Sequence, residues 1–418
     1  MKIGLSASIL FIAAYACCET VRAEFGDELQ LYRANDAMSA DEFGYSVNLD
    51  GNIGIYGAPG RGDNGLQSGA AYIMDVTTGE QLMKLVPNDG TAEDRFGVSV
   101  AVHDNVAIVG AIHADPRGMS SGAAYLFDIN TGQQLHKLVG DSTVAGDEFG
   151  ISVDIDNGVA IVGAHFHDEG LAYLFDVDSG NQIGTLLSND ASPGDLFGVA
   201  VALDNNTALV GARYDDELGT AAGSAYLFDI TTGDQLHKLN AHDGFWGDRF
   251  GMYVDVDGNT AIVASRYDDD VLKSSGSAYL FNVDDGQERF KIVAEDADPN
   301  DHFGSSVSVS GDLAIVGAAN DRSFGNFSGS AYVFDVNSGK QLTKLNSSDP
   351  GFFQQFGTAV AIDGDLAIVG SSELIFAQTG DGMTSGRGFT FDLTVVPEPR
   401  FGLFSLILVI FFFRNRTR

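Results

Sequence analysis

The chain has 418 residues, with 58 Asp plus Glu against 23 Lys plus Arg and a formal net charge of −35. That balance excludes a nucleic-acid binder, whose phosphate partner demands clustered cations, and suits a soluble surface kept apart by like charge. The two cysteines, Cys17 and Cys18, are adjacent near the N-terminus, so no disulfide framework spans the chain and packing with strand pairing must hold it.

Met1-Lys2 gives a small positive start, Ile3 to Ala16 is apolar apart from two serines and a glycine, and Val21-Arg22-Ala23 ends on a small residue. Residues 1–23 are read as a secretory signal peptide, removed by signal peptidase before Glu24. Lipoprotein processing at Cys17 is the alternative, and Tyr15 fits it poorly. Residues 26–33 follow. Gly26-Asp27-Glu28-Leu29-Gln30-Leu31-Tyr32 aligns with Gly79-Glu80-Gln81-Leu82-Met83-Lys84-Leu85 at an offset of 53.

That offset is the period of the chain. Phe-Gly pairs stand at Phe43-Gly44, Phe96-Gly97, Phe149-Gly150, Phe197-Gly198, Phe250-Gly251, Phe303-Gly304 and Phe356-Gly357, spaced 53, 53, 48, 53, 53 and 53 residues. Fourteen residues after each Phe comes Gly-Ala or a near copy, at Gly57, Gly110, Gly163, Gly211, Ala264, Gly317 and Gly370. A strand of the type Ala-Tyr-Leu-Phe-Asp comes next, centred on Tyr72, Tyr125, Tyr173, Tyr226, Tyr279 and Tyr332, with Phe389 in the seventh copy. A fixed period of this length signals a repeat architecture.

In the second copy, Phe96 to Val102 alternates as a strand, and Val106 to Ala111 is apolar on both faces and so buried on both. A longer loop leads to Gly122–Ile129, and Gln134–Val139 is a more polar fourth strand. Gly, Asn and Asp turns join the four into an antiparallel meander. Rising polarity places the first strand innermost and the fourth at the rim. Residues 24–395 are therefore expected to form an all-β, seven-bladed β-propeller of four-stranded antiparallel blades. The seventh copy stops after Gly388 to Leu393, and residues 26–33 supply its missing outer strand, closing the ring and burying Leu29 and Tyr32.

The last segment, 396–418, has Pro397-Glu398-Pro399, a 13-residue apolar run from Phe401 to Phe413, and Arg414, Arg416 and Arg418. A permanent span needs about 20 residues. The three parts resemble the PEP-CTERM sorting signal. That resemblance implies export in a Gram-negative-type bacterium, transient anchoring by a short transmembrane helix, and removal of the tail by an exosortase-type enzyme. A plain membrane anchor is the alternative.

The repeat landmarks resemble FG-GAP repeats, the units of the integrin α-chain propeller and of many bacterial surface proteins. The integrin-type unit carries a calcium loop of alternating Asp and Asn between its two marks. Here that interval holds only tight turns such as Asp50-Gly51-Asn52, so those calcium sites do not carry over, and no cofactor is assigned.

The chemistry-bearing residues follow the repeat. Asp41, Asp94, Asp147, Asp195, Asp248 and Asp301 precede Phe-Gly by two positions, with Gln354 in the seventh copy. Asp36, Asp89, Asp190, Asp243, Asp296 and Asp349 lie five residues earlier. Such pairs hold a cation or cap turns, and recurrence in nearly every copy favours capping. His165 and His167 lack an identifiable third metal ligand, and Arg61-Gly62-Asp63 reads as a turn. No nucleophile–base pair or phosphate loop is present, so no catalytic residue is assigned. The loops between second and third strands vary most, and binding concentrates on variable loops over a rigid scaffold. Asp215, Asp216 and Glu217 in copy four, with Asp268, Asp269 and Asp270 in copy five, are the candidate ligand or cation loops. Changing the five aspartates to Asn is expected to weaken binding without lowering stability. The function expected is a surface binding or adhesion module for a protein or glycan, with a polysaccharide-active lyase or hydrolase and a structural matrix protein as alternatives.

Overall fold

The computed structural model describes residues 25–350, 353–372 and 385–394. Seven four-stranded antiparallel sheets succeed one another in chain order. Blade two is typical: Val100–His103, Val106–Ala111, Ala123–Asp128 and Gln134–Leu138 from axis to rim. The second strand is buried almost throughout and the fourth alternates between exposed and covered residues, which is the polarity gradient expected. The segments read as a signal peptide and a sorting signal, and the loop from Glu373 to Met383, lie outside the described residues.

The ring closes through the N-terminus. Asp27–Tyr32 pairs antiparallel with Arg387–Asp392, the third strand of blade seven. A rim contact shows that the borrowed strand is an ordinary member of the set. In blade two, Gln134 accepts a hydrogen bond from the Asn88 N–H at 2.9 Å. In blade seven, Glu28 takes that role for the Ser348 N–H, also at 2.9 Å. Tyr32 is buried at 7 % exposure, and its hydroxyl bonds Tyr56 and Thr390. Leu29 is not buried as expected. It is 38 % exposed, like Leu82 at 45 % and Leu342 at 46 % in equivalent places, because one face of every rim strand meets solvent.

Apolar side chains collect between blades rather than within them. One cluster joins Ile55, Ile73 and Leu85 of blade one to Phe96, Val109 and Phe127 of blade two, and another joins Tyr32, Phe43 and Tyr72 to Ile368 across the closure. A single blade could not bury its own faces, so each depends on its neighbours.

The Phe-Gly and Gly-Ala marks are the interlock. Phe96 was expected to open the first strand of blade two. Instead it forms a parallel bridge to Gly69 of blade one, and the strand proper begins at Val100. A Cβ added to Gly57 would stand 2.0 Å from the Gly97 carbonyl oxygen, so the two backbones touch where any side chain would hold them apart.

Candidate functional site

The second-to-third loops and the connections between blades meet on one face. There the Glu93 N–H donates to the Leu66 carbonyl at 2.8 Å and the Arg95 N–H to that of Gln67 at 3.0 Å.

The repeated aspartates have two distinct places. Asp41, Asp94, Asp147, Asp195, Asp248 and Asp301 each accept the backbone N–H of the residue three positions earlier, at 2.6–2.9 Å. These are turn caps. The other set faces a side-chain cation, which is lysine in five copies and Arg387, at 2.8 Å, for Asp349. Lys84, Lys137, Lys238, Lys291 and Lys344 lie 2.5–2.7 Å from Asp36, Asp89, Asp190, Asp243 and Asp296. Each ammonium also sits 5.1–5.5 Å from the ring centre of its own blade's tyrosine.

This arrangement divides the acidic loops. Asp215 is buried, accepting the Tyr226 hydroxyl at 2.8 Å and pairing with Lys238 at 3.0 Å. Asp268 is its counterpart, bonded to Ser277, Tyr279 and Lys291. Burial raises the Asp268 carboxyl, but the bonds from Lys291 and Ser277 outweigh it and hold the group below its ordinary value. Both carboxylates are bonded within their blades, so Asn at Asp215 or Asp268 should cost stability, which separates them from the other three of the five. Asp216, Glu217, Asp269 and Asp270 are exposed, although Glu217 and Asp270 also reach Lys238 and Lys291.

Composition did not point to the apolar group beside them. Phe245 and Trp246, in the connection from blade four to blade five, are 63 % and 66 % exposed. They meet the blade-four loop through a bond from the Gly247 N–H to the Thr220 carbonyl at 3.1 Å, with exposed Leu218 adjacent. Asp243-Gly244-Phe245-Trp246 was the available signal, in a place where the other connections are free of aromatics except for Phe352-Phe353 before copy seven.

The histidines do not converge. His165 is buried and 3.8 Å from Glu148, while His167 bonds Asp147 at 2.7 Å. Burial, with Arg213 nearby, pushes His165 down to about 4. Among the described residues no three His, Cys, Asp or Glu side chains are grouped to hold a metal ion. Arg61 is buried, paired with Asp63 in its own turn and with Asp36 and Asp41 from the connection before Phe43.

The axis is a polar cavity of about 270 Å³ lined by innermost strands from all seven blades. Its tight-turn end carries Asp50, Asp156, Asp204, Asp257 and Asp363. Each accepts a backbone N–H of the next blade, from Asp104, Asn205, Gly258, Gly311 and Gly51 respectively, at 2.5–2.8 Å. Deeper, Asp154 and Asp255 accept from Leu203 at 2.6 Å and Val309 at 2.8 Å. Burial pushes Asp154 up to about 8 and Asp255 to about 6. Reading Asp-Gly and Asp-Asn only as turns concealed this belt.

Together these features define an all-β seven-bladed propeller with one plain and one variable face. Seven stretches, residues 30–74, 80–127, 133–175, 181–228, 234–281, 287–334 and 340–391, match the family described as FG-GAP repeat, and the chain belongs to that family. Among solved structures it is similar to the computationally designed Ika8 protein. The TM-score is 0.50 at 14% identity, over 88% of this chain and 100% of that one, a likeness of fold alone. No curated protein matches. Among the described residues no helix is long and apolar enough to cross a membrane.

Proposed function

We propose that this is an exported, surface-displayed, non-catalytic binding or adhesion propeller whose partner seats on the loop face at blades four and five. The observation that carries this reading is the exposed Leu218, Phe245 and Trp246 beside the exposed carboxylates of Asp216 and Glu217. Large exposed aromatics on a rigid ring supply binding energy at small entropic cost, and Trp and Tyr dominate interface hot spots. The acidic rim favours a protein surface that offers apolar side chains flanked by Lys or Arg. Export and display rest on the leader and the tripartite tail.

The test is an array of surface proteins and glycans probed with the wild-type protein and with Trp246→Ala. A bound protein partner should lose at least tenfold in affinity with the variant. Trp246 is the single tryptophan of the chain, so its emission reports occupancy directly. Equal binding by both proteins would sink the assignment of the site. Turnover of an arrayed glycan would replace the reading with a lyase or hydrolase, and a silent array would leave a structural matrix component.

A further inference from the structure

At the loop-side opening of the axis, blades four to six carry a constellation unlike the acidic shoulder outside it. The residue before each Phe-Gly has a left-handed backbone in all seven copies, with φ of 60° at Glu42, 55° at Arg95, 53° at Glu148, 58° at Leu196, 58° at Arg249, 56° at His302 and 53° at Gln355. The shared conformation belongs to the turn. The side chains differ, and they stand where the innermost strands begin, around the axis. Copies four and five alone follow the Gly-Ala mark with an Arg-Tyr pair, Arg213-Tyr214 and Arg266-Tyr267.

These residues form a continuous row. Arg213 lies over the Tyr214 ring at 5.2 Å, and Arg249 lies over both Tyr214 and Tyr267, at 5.3 and 4.5 Å. Arg266 lies over Tyr267 at 5.7 Å and reaches His302 Nδ1 at 3.2 Å. Burial, then Arg266 and Arg322, pushes His302 down to about 4, so it is a neutral acceptor at physiological pH. Among the described residues none of the three arginines has a carboxylate within ion-pair reach, whereas Lys84, Lys137, Lys238, Lys291, Lys344 and Arg61 all do. The Nε atoms of Arg213 and Arg266 are buried without a partner. In a chain of net charge −35, three guanidiniums held side by side without an ion-pair partner among the described residues, only Arg213 feeling a carboxylate nearby, that of Glu148, are a charge arrangement that calls for an anion.

We infer that the Arg213–Tyr214–Arg249–Tyr267–Arg266 row binds the carboxylate of an acidic sugar residue. The guanidinium fork matches a planar carboxylate in two parallel bonds. The guanidiniums already cover the Tyr214 and Tyr267 rings, so what these tyrosines offer a sugar is their hydroxyls, which donate to and accept from its oxygens. The strongly negative body repels densely charged polyphosphates and nucleic acids, while a ligand with one charge per sugar meets that field weakly beyond about 8 Å at physiological salt. None of these side chains belongs to the Leu218–Phe245–Trp246 group, although Arg249 follows Trp246 by three positions in the same connection and its N–H donates to the Ala221 carbonyl at 3.1 Å.

Titration calorimetry on the full chain with a uronate trisaccharide tests it. Carboxyl-reduced trisaccharide and inorganic phosphate serve as controls, and thermal unfolding checks each variant. The uronate should bind saturably, and the reduced sugar and phosphate at least tenfold more weakly. Arg213→Gln and Arg266→Gln should each weaken uronate binding about tenfold or more, Arg266→Lys should fall between, and Trp246→Ala should leave it unchanged. Absence of uronate binding, equal binding of either control, or indifference to the arginine changes in folded variants would overturn the proposal. Because the shoulder is read through Trp246 and the row through the arginines, either can fail without the other.

Discussion

The two ends of the propeller axis are built from equivalent positions of the same repeat, and their chemistry is opposite. At the tight-turn end, five aspartates circle the cavity and each is bound to the backbone of the next blade. Their charge is spent on the ring itself. At the loop end, Arg213, Arg249 and Arg266 rest on tyrosine faces and form no ion pair among the described residues. A residue type repeated around the ring is consumed by the scaffold, because every copy has the same structural demand. A residue type confined to two neighbouring copies answers no such demand and is where a ligand is to be sought.

The most severe way to break this contrast is to open the ring. Deleting residues 25–33 removes the Tyr32 contacts and the rim strand of blade seven, so both ends of the axis should lose definition together. Burying one large side chain contributes about 1.5–3 kcal/mol, and a whole domain's margin is about 5–15 kcal/mol. Calorimetry should show a large drop in Tm or loss of a single transition. An unchanged Tm would contradict closure by the N-terminal strand.

Asp215→Asn tests whether the repeated acids are structural. It should cost about 2–3 kcal/mol in urea unfolding, since it leaves Tyr226 and Lys238 facing a neutral amide in a buried site. Its neighbour sharpens the contrast: Asp216→Asn should change stability by no more than about 0.5 kcal/mol. Equal effects would erase the distinction between inner and outer acids.

The axial acids make a prediction in pH. Asp154 shares the cavity lining with Asp156 of its own strand and with Asp50, Asp204, Asp255, Asp257 and Asp363, and His103 is the lone basic residue of that lining. A carboxyl whose folded pKa lies above its unfolded one binds its proton more tightly in the native state, so protonation favours folding. The penalty from Asp154 is full above pH of about 8 and fades as pH falls toward the ordinary carboxylate range. The lysine-paired acids act oppositely. Burial opposes them, but their lysine bonds lower Asp190 and Asp321, whose stabilisation disappears only as pH falls through those depressed values. Stability should therefore rise from pH 8 toward the folded value of Asp255, about 6, and collapse in stronger acid. Asp154→Asn should raise Tm by a few degrees at pH 8 and flatten that slope. A slope unaltered by the substitution would show that Asp154 is not its source.

The period, the strand order within a blade, the number of blades and the borrowed N-terminal strand were all legible in the chain. Each depends on a local pattern, and Glu28-Leu29-Gln30 copies Gln81-Leu82-Met83 closely enough to reveal its place. What lay beyond the pattern is whatever two or three copies decide jointly. Asp215 and Asp216 are adjacent and chemically identical, yet one is sealed by Tyr226 and Lys238 while the other stands in solvent. Arg249 acquires its meaning from Tyr214 and Tyr267 on two different blades. Periodicity fixes how each unit folds, because strand alternation and turns act over a few residues. The environment of a charge is set by packing between units, which only the closed ring brings about.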